Sequence, residues 1–480
     1  MGDGLDKVFL GIDQGSSSTK AVVLGLDGSV LFSERIAVST NFLSDIEVEQ
    51  NPIELFESVK GCIDNALAFC DRENLHVSSI GLACQRSGVL AFDRDSFDIL
   101  HPLISWRDTR FSSQIESLER YAGQIYRQGG IPPHPGYAGA KIGYLQSRFG
   151  APALISTLDA FLLFRLSGGS YLATEATHAA RTLLFNLKAL NWDSDLCRIF
   201  NVDRSRLLKI DDSISNRFSY RGIPVTAMLG DQQAALLGFG APRRALLNLG
   251  TLSSLIVSSG ESVFEAAFSP RSVLYSQISD GARLAEYQVE ASVPSDPMIQ
   301  MLINRGYAKS REEVQETSDS TELTINDPVL FFKPSDWQGG ALAAIDSDSR
   351  DLLKPEKIVT ALVENLGFVL SAFIDLFVEK NLIDPKTEIV VSGGMSRLSR
   401  ITNSIMGASN SLLTKADLED STAYGAALMG ALGVGVKLPS KLNGSSVPHV
   451  SSQRNSVTKE RYIRWLKLRT MAFENQLPES

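Results

Sequence analysis

One short segment near the start of the chain carries residue types that suit a phosphate-binding turn. In residues 13–20, an acidic residue and a hydroxyl-rich glycine turn follow the apolar run 8–12. Gly15 lets the backbone come close to a ligand, the serines add hydroxyl and N–H donors, and Lys20 supplies a point charge that suits phosphate. An ordinary hairpin, in which Asp and Ser side chains satisfy the turn backbone, is the alternative. The candidate phosphate-binding residues of this turn are Gly15, Ser16, Ser17, Ser18 and Lys20.

Asp13 is the unusual member of this turn, because a carboxylate beside a phosphate would repel it. Its presence is explained if a divalent cation, with Mg²⁺ as the expected ion, lies between the carboxylate and the phosphate. We therefore predict that Asp13 helps to hold a magnesium ion.

A second acidic residue, Asp231, lies between two predicted elements. An apolar strand over residues 225–229 ends at Gly230 and Asp231, and helix-forming sequence begins at Gln232. Asp231 can act as a helix N-cap, since Asp is among the residues preferred there. It can also act as a general base that is held against a substrate hydroxyl, as phosphoryl transfer needs. The two roles are compatible in one residue.

Another turn of glycine and hydroxyl residues occurs near the middle of the chain. Residues 245–260 give an apolar strand, a turn at Gly250 and Thr251, and a further apolar strand. Aligning Gly15 with Gly250 places the two turns about half a chain length apart, which is not the spacing of a solenoid repeat. This spacing favours a duplicated fold with one phosphate-binding hairpin in each half; a chance coincidence of two turns is the alternative.

The elements around these turns indicate an α/β protein. Asp27-Gly28 predicts a hairpin, so no helix follows the first turn, unlike a Walker loop or a dinucleotide fingerprint. A strand from 388 is predicted to run into a double-glycine turn. The other predicted elements are helices over 52–70, 112–126, 153–166, 355–379, 422–433 and 459–476, a helix that begins at 191–193, strands over 80–84 and 89–92, and a loop over 129–139.

Composition and charge exclude several classes of protein. The 480 residues are 44% hydrophobic and 21% charged, which is typical of a soluble globular protein with two domains. The net charge of −9 argues against nucleic acid as the main partner, which would need a basic surface. The four cysteines lack metal-ligand spacing and indicate buried thiols in a reducing compartment, and the five histidines are scattered.

The sequence also argues against a membrane partner. No apolar run approaches the ~20 residues that a membrane span needs, and the first residues do not resemble a secretory signal. We therefore expect a cytoplasmic protein, with an organelle stroma as the alternative.

Taken together, these segments resemble the FGGY carbohydrate kinases, and within that family the glycerol kinases most. The resemblance covers essentially the whole chain, and its motifs occur in the same order. Several motifs in order are more specific than any one of them. The motifs are residues 13–20, 48–52, 84–87, 106–110, 174–186, 230–238, 250–251, 392–394 and 422–427.

The resemblance implies two actin-like, ribonuclease-H-like ATPase domains with a cleft between them, and ATP and Mg²⁺ as cofactors. The N-terminal domain, residues 1–241, would hold the substrate and the first hairpin, and the C-terminal domain, residues 242–480, would hold the nucleotide. Asp231 would be the base that removes the proton from the substrate hydroxyl. The substrate-binding residues that it implies are Arg86, Ser87, Trp106, Asp231 and Gln232. The ATP-binding residues that it adds are Gly250, Thr251, Gly393, Gly394 and Met395.

The acceptor region departs from the glycerol kinase pattern at two positions. Ser87 stands where glycerol kinases have Glu, so a carboxylate ligand for substrate hydroxyls is missing. Gly136 stands where they have a substrate-contacting Tyr, and Tyr137 follows one place later. Deleting the partner of a buried hydroxyl reduces discrimination steeply. These changes favour an acceptor that is larger than glycerol or differently shaped.

We therefore predict an ATP-dependent kinase that phosphorylates a hydroxyl of a small polyol or sugar. Its partners would be that acceptor and ATP, without nucleic acid or membrane, and a homodimer is left open. Two other classes are left open as well. One is a weakened or non-catalytic relative that binds sugar and ATP, and the other is an ATPase of the actin or chaperone type. ATP consumption that requires an added polyol would separate the kinase from both.

Overall fold

The structure of the protein is a computed structural model. It describes residues 6–239, 245–250, 252–264, 270–279, 281–334, 340–344, 354–409, 411–416, 420–439, 444–446 and 452–473. Side chains are described for most of these residues.

Strands and helices are mixed along the chain, as predicted for an α/β protein. In chain order the strands are Asp6–Gln14 (β1), Ser18–Gly25 (β2), Val30–Ala37 (β3), Asn41–Phe42 (β4), Val48–Gln50 (β5), Leu75–Cys84 (β6), Val89–Asp93 (β7), Ile99–Ile104 (β8), Ala153–Thr157 (β9), Thr174–Glu175 (β10), Phe185–Asn186 (β11), Asn191–Trp192 (β12), Ile210–Asp211 (β13), Ile214–Tyr220 (β14), Ile223–Gly230 (β15), Ala245–Asn248 (β16), Leu252–Gly260 (β17), Arg271–Ser279 (β18), Ala282–Pro294 (β19), Leu330–Pro334 (β20), Gly340–Ala344 (β21), Glu388–Ser392 (β22), Leu412–Ala416 (β23) and Gly444–Ser446 (β24). The α-helices are Pro52–Arg72 (α1), Ser112–Glu116 (α2), Ala122–Gly129 (α3), Ala138–Arg148 (α4), Leu158–Leu166 (α5), Ala176–Ala179 (α6), Ser194–Ile199 (α7), Asp231–Gly238 (α8), Asp296–Asn304 (α9), Arg311–Ser320 (α10), Pro355–Glu379 (α11), Ser399–Ser409 (α12), Ser421–Gly433 (α13) and Ser452–Phe473 (α14).

The chain divides into two compact units, and each of them is built from separate stretches of sequence. The first unit comprises Met1–Pro242, Ser258–Val289 and Asp420–Leu442, and the second comprises Arg243–Val257, Glu290–Glu419 and Asn443–Ser480. One crossing point, between residues 242 and 243, lies next to the predicted domain boundary. The first unit also takes up two later stretches that the contiguous domains 1–241 and 242–480 do not anticipate, and those domain bounds stay a prediction.

The main sheet of the first unit brings the ends of three parallel strands to one edge. Its strands follow the order β18-β14-β15-β6-β1-β2-β3, with β1 parallel to β6 and β6 parallel to β15. In this register Gln14 pairs with Cys84, and Cys84 pairs with Gly230. The segments that leave these three strands therefore begin side by side, although they are far apart in sequence.

The predicted turn between β1 and β2 is a hairpin with no helix after it. The two strands pair antiparallel, with Asp13 opposite Lys20, and β2 continues through the Asp27-Gly28 turn into β3. Gly28 has a φ of 79°, which only a few residue types tolerate. The meander expected from the sequence is thereby confirmed.

Helices cover the main sheet of the first unit on both faces. On one face, α1 and α5 form a core with β1 and β6, in which Leu55, Phe161 and Leu82 are buried. On the other face, α13 packs directly on the strands, because its small residues meet glycines of the sheet. A Cβ atom on Gly11 or Gly81 would clash with the backbone of this helix. A second sheet, β4-β5-β8-β7-β9, lies in the same unit.

The second unit contains the other glycine turn. Its strands follow the order β24-β23-β22-β16-β17, with β16 antiparallel to β17 and parallel to β22. Helix α11 is packed by α12, and α14 docks through Tyr462 and Trp465, which are buried. The closing helix predicted at 459–476 begins earlier, at residue 452, and is described as far as residue 473. Residues 474–476 lie outside the described residues.

Two helices predicted from apolar spacing are broken in the structure. Residues 153–166 form β9 followed by α5, because the first five residues pair with β7 and the apolar run alone does not distinguish a strand from a helix. Residues 112–126 are split into α2, a 3₁₀ turn and the start of α3. The loop predicted at 129–139 is shorter at both ends, since α3 includes Gly129 and α4 begins at Ala138.

One helix qualifies the expectation that no segment is long and apolar enough for a membrane. Within the described ranges, α11 meets that criterion by length and composition, and 72% of its most apolar window is buried in the protein. The core helix of a soluble protein passes the same test, so this finding is weak support for a membrane span.

Candidate functional site

Three polar segments converge where β1, β6 and β15 end in the first unit. Asp13 lies at the end of β1, Arg86 follows β6, and Asp231 follows β15. Gln85 continues the pairing past the strand end, since its backbone N–H donates to the Gln14 carbonyl at 2.9 Å. Residues from three distant parts of the sequence are thus brought to one place.

Asp13 is a buried carboxylate with one unused oxygen. Its exposed fraction is 6%, and its Oδ1 has no hydrogen-bond partner among the described residues. Burial raises the pKa of Asp13 to about 7, and the nearby Asp231 and Asp420 act in the same direction while Lys20 opposes it. A divalent cation would stabilise the charged form, and carboxylate oxygen is a ligand that Mg²⁺ takes. The unused oxygen therefore fits the predicted metal role.

Asp13 would be the protein's contribution to a metal site that is completed by other ligands. No cluster of three or more His, Cys, Asp or Glu residues suited to a metal occurs in the part of the chain that the structure describes. Mg²⁺ commonly keeps several waters and takes one or two carboxylates together with substrate phosphates. The arrangement is compatible with that mode and not with a preformed protein cage.

Lys20 lies against two carboxylates. Its Nζ is 3.3 Å from Asp420 Oδ1 and 4.0 Å from Asp13 Oδ2. Arg35 NH2 is also 3.4 Å from Asp420 Oδ1. Asp420 was not singled out from the sequence, because it precedes a helix some 400 positions from the hairpin and matches no motif. In the structure, Asp420 forms ion pairs with both Lys20 and Arg35.

The four turn residues predicted to bind phosphate differ in accessibility. Ser17 is exposed and Gly15 and Ser16 are half-buried, whereas Ser18 is buried. The backbone N–H of Gly15 donates to the Ser18 carbonyl at 2.9 Å, as in an ordinary hairpin. The N-terminal part of the turn is thus available to a ligand, and the Ser18 side chain is not.

Asp231 begins α8 but is not its N-cap. Gly230 occupies that position, with φ −68° and ψ 150°, and Asp231 is the first helical residue. Asp231 Oδ1 accepts hydrogen bonds from Gln232 N at 2.8 Å and from Arg86 Nε at 3.1 Å. Its side chain is 35% exposed, so the second carboxylate oxygen can reach a ligand. The geometry suits a base that is oriented by a cation and open to solvent on one side.

Two residues behind Asp231 hold the strand end that carries it. Thr177 Oγ1 accepts the backbone N–H of Gly230 at 2.7 Å, and His178 Nε2 lies 3.1 Å from the Leu229 carbonyl. Both side chains are buried. The family resemblance of the 174–186 motif assigns no role to these two residues, and the structure shows that they contact the end of β15.

The residues predicted to bind the acceptor line the same region. The Arg86 side chain is 10% exposed, and a Cβ on Gly230 would lie 2.5 Å from Arg86 Cδ, so only Gly leaves room for it. Ser87 is buried and has a φ of 66°. Trp106 is half-buried, and a Cβ at Gly136 would lie 2.7 Å from its carbonyl oxygen.

Gln232 is the remaining predicted acceptor residue. It is half-buried, and its side-chain carbonyl oxygen, Oε1, has no hydrogen-bond partner within the described ranges. It follows Asp231 directly on α8. A buried acceptor of this kind is left without compensation unless a ligand or water donates to it.

In the second unit, the turn at Gly250 lies beside the double glycine. Leu249 N donates to the Ser392 carbonyl at 2.7 Å, and Met395 N donates to the Leu249 carbonyl at 3.0 Å. Gly393 has a φ of 91°, and a Cβ there would clash with the Leu249 backbone. Gly394 is exposed with open space around it, and Met395 is buried. Thr251 lies outside the described residues.

Comparison with known proteins identifies a family for the first half of the chain. Residues 8–238 match the family description "FGGY family of carbohydrate kinases, N-terminal domain". A glycerol kinase of Leifsonia xyli subsp. xyli is 26% identical over 460 residues, which cover 89% of this chain and 89% of that protein. A glycerol kinase of Trichodesmium erythraeum is 27% identical over 497 residues, covering 96% of this chain and 97% of that protein.

Solved structures show the same fold. The structure of Plasmodium falciparum glycerol kinase with ADP matches with a TM-score of 0.80 at 21% identity, covering 100% of both chains. The structure of a ligand-bound xylulose kinase from Lactobacillus acidophilus matches with a TM-score of 0.79 at 17% identity, covering 98% of this chain and 99% of that one. The predicted α/β fold is confirmed by these likenesses.

Proposed function

The chain belongs to the FGGY family of carbohydrate kinases, and we propose that it transfers the γ-phosphate of ATP to a hydroxyl of a small polyol or sugar. The observation that carries the assignment of roles is the convergence of Asp13, Arg86 and Asp231 at three adjacent strand ends. In this proposal one carboxylate serves the metal and the other serves the acceptor.

Asp231 is the proposed general base. Its Oδ1 is held by Arg86 Nε, which leaves Oδ2 free to accept the proton of the attacking hydroxyl. The proton then resides on the carboxyl group, the oxygen of the acceptor bonds to the γ-phosphorus, and the bond from that phosphorus to the β–γ bridging oxygen breaks, so that ADP leaves. Thr177 helps to fix the orientation of this carboxylate, because it accepts a hydrogen bond from the N–H of the preceding residue, Gly230.

The first hairpin is the proposed site of the terminal phosphates. Asp13 would hold Mg²⁺, which neutralises charge on the nucleotide, and Gly15, Ser16 and Ser17 would offer accessible donors. Lys20 would supply positive charge if the phosphates compete with Asp420 for it. Ser18 contributes by its backbone, since its side chain is buried.

The second unit is proposed to hold the nucleotide through Gly250, Thr251, Gly393, Gly394 and Met395. The open surface at Gly394 supports this assignment, because a flat ligand can lie against a backbone without a side chain. Gly393 supports it indirectly by keeping the turn tight against Leu249. Replacing Gly394 with a bulky residue therefore tests the site without disturbing packing.

The acceptor is proposed to differ from glycerol. Ser87 and Gly136 stand where the glycerol kinase pattern places a carboxylate and an aromatic ring, so the contacts that those two side chains would make to glycerol are absent. A tetritol, a pentitol or a ketose is the proposed acceptor. We also propose cytoplasmic residence, without nucleic acid or membrane as a partner. The sequence leaves a homodimer open, and light scattering on the purified protein measures the oligomeric state.

The proposed function is tested by ADP release in a coupled assay over glycerol, erythritol, xylitol and xylulose. We expect ATP consumption that depends on one or more of these acceptors. Asp231→Asn should lower turnover by a factor of about 10² to 10⁴, with ATP binding retained. Asp384→Asn, which changes an exposed carboxylate in the second unit, is the matched control.

Two outcomes contradict the proposed reaction, and a third contradicts the proposed base. ATP hydrolysis that is independent of any acceptor would favour an ATPase of the actin or chaperone type. Binding of acceptor and ATP without turnover would favour a non-catalytic sensor. Near-normal activity in Asp231→Asn would show that the base is another residue.

A further inference from the structure

Lys141 is a fully buried cation in the first unit, on helix α4. Its exposed fraction is 0%, and its ammonium group donates three hydrogen bonds. The acceptors are the main-chain carbonyls of Ser87 at 3.1 Å, Ser105 at 2.8 Å and Gly136 at 2.6 Å. An ammonium has three N–H donors, so its whole bonding capacity is used on neutral backbone.

The three carbonyls come from three separate segments of the acceptor region. Ser87 follows Arg86, and Ser105 precedes Trp106. Gly136 lies against the Trp106 carbonyl, where a Cβ would come within 2.7 Å. The three segments share no strand at these residues, and the backbone of Ser87 has a φ of 66°. A single side chain therefore ties together the backbone that carries the proposed acceptor residues.

The charged groups around Lys141 do not pair with it directly. Asp108 is engaged by Arg110 and by the backbone N–H of Val48. Burial lowers the pKa of Lys141 to about 7. The attraction of Asp108 opposes this shift, and the repulsion of Arg110 adds to it. His134 faces it from the loop before α4, and burial together with Lys141 lowers the pKa of His134 to about 4. Arg86 is paired with Asp231.

Burying an ammonium on carbonyls alone is costly, because no opposite charge in contact replaces its hydration. A fold that only needed to fill this space could use an apolar side chain of similar volume. The convergence of three donors on three loop carbonyls is a geometry that an apolar side chain cannot reproduce.

We propose that Lys141 is a positioning residue for the site of the phosphoryl acceptor. By donating to the carbonyls of Ser87, Ser105 and Gly136, Lys141 sets the geometry of Arg86, Ser87 and Trp106. This inference rests on the proposed function. Lys141 touches neither acceptor nor nucleotide in it, and acts through the three backbone segments. Its loss is expected to loosen the acceptor site and to leave the nucleotide site as it is.

The test is steady-state kinetics of Lys141→Met with ATP and with glycerol, erythritol and xylitol as acceptors. We expect KM for the acceptor to rise about tenfold or more, since small misplacements of binding groups cost this much. KM for ATP should stay within about twofold, because the residues proposed for ATP have no bond to Lys141. A loss of kcat with an unchanged acceptor KM would indicate a purely structural role and overturn the inference.

Arg206→Met is the matched control. Arg206 also donates to backbone carbonyls of the α4 region, those of Gln146 at 2.9 Å and Phe149 at 2.6 Å, but at the far end of the helix. It should lower stability without a selective change in acceptor KM. An equal rise in acceptor KM for Arg206→Met and Lys141→Met would overturn the inference, because the effect would then follow from destabilising α4.

The wild-type pH profile decides the question if Lys141→Met fails to fold. Above pH about 7 the amine loses a proton and keeps two donors, so one of the three carbonyls loses its partner. The acceptor KM is expected to rise with pH through that range, whereas KM for ATP should not rise, because deprotonation of Asp13 in the same range favours metal binding. A level acceptor KM would overturn the inference. Wild-type protein without acceptor-dependent ADP release would instead refute the proposed function, and this inference with it.

Discussion

At the scale of single residues, Asp13 and Asp231 differ in how the protein treats their charge. Asp231 is partly exposed and is held by Arg86, whereas Asp13 is buried with an oxygen that nothing donates to among the described residues. The difference suits two roles. Asp231 is accessible enough to exchange a proton with the substrate, and Asp13 keeps an oxygen available to coordinate a cation. Residue type alone does not separate these roles.

Ser87→Glu is expected to shift acceptor preference towards glycerol. The added carboxylate provides two oxygens that can accept hydrogen bonds from two substrate hydroxyls. The shorter serine side chain cannot reach both hydroxyls. We expect kcat/KM for glycerol relative to xylitol to rise by about tenfold, the effect of one well-placed charged hydrogen bond. Ser87→Gln has nearly the same volume without the charge, and an equal shift in that variant would show that size and not charge is responsible.

The cysteine thiols are expected to resist modification in the folded protein. Burial raises the pKa of Cys62 to about 12 and those of Cys70 and Cys197 to about 11. Burial also raises the pKa of Cys84. Since the thiolate is the nucleophile, little of it exists at pH 8. A disulfide reagent that reports free thiols by colour should react slowly with native protein and with all four thiols after denaturation.

At the scale of elements, the site depends on close contact between α13 and the main sheet of the first unit. Gly11 on β1 and Gly81 on β6 meet the backbone of α13, and Gly425 of α13 meets the backbone of α8. Glycines on both partners let backbones approach where any side chain would hold them apart. The strands that end near Asp13 and Arg86, and the helix that begins at Asp231, are thus packed against one helix.

Gly81→Ala is expected to destabilise the protein by about 3 kcal/mol, because the methyl group would overlap the Ala426 carbonyl and neither backbone can move easily. The free energy of unfolding, measured by urea denaturation, checks this. Gly150→Ala is the control, since no atom lies within 4 Å of the Cβ position there. Equal stability of the two variants would mean that α13 can shift on the sheet.

At the scale of the whole molecule, a ligand that binds the folded chain and not the unfolded one stabilises the folded state. Each of the two compact units carries one of the two glycine turns, and each turn connects two antiparallel strands. This is the duplicated hairpin arrangement that the sequence predicts.

Mg²⁺ and ATP together are expected to raise the unfolding temperature more than ATP with a chelator. A ligand at about 100 times its Kd adds about 2.7 kcal/mol of stability to the folded state. Asp13→Asn should remove the part of this gain that depends on Mg²⁺, because the amide loses the negative charge that attracts the cation. Asp384→Asn should keep it. Thermal unfolding followed by fluorescence gives the comparison, and a full Mg²⁺ effect in Asp13→Asn would exclude Asp13 as a ligand.

The sequence by itself determined the local features of this protein. The hairpins around Gly15 and Gly250, the strand that ends at Asp231 and the helix over 355–379 follow from residues that are neighbours in the chain. Apolar spacing was misleading over 153–166, where pairing with β7 makes a strand of the first five residues. Local patterns state what a segment can form, and partners decide between the options.

Only the tertiary structure decided which polar groups are used and how. Lys141 reads as an ordinary helical residue until three carbonyls surround it, and Asp420 matches no motif until it meets Lys20. Ser18 looks like its neighbours in the turn until its side chain is found to be buried. The physical reason is that these roles depend on desolvation and on contacts between residues up to some 400 positions apart, which follow from sheet order and packing and are not encoded in any local pattern.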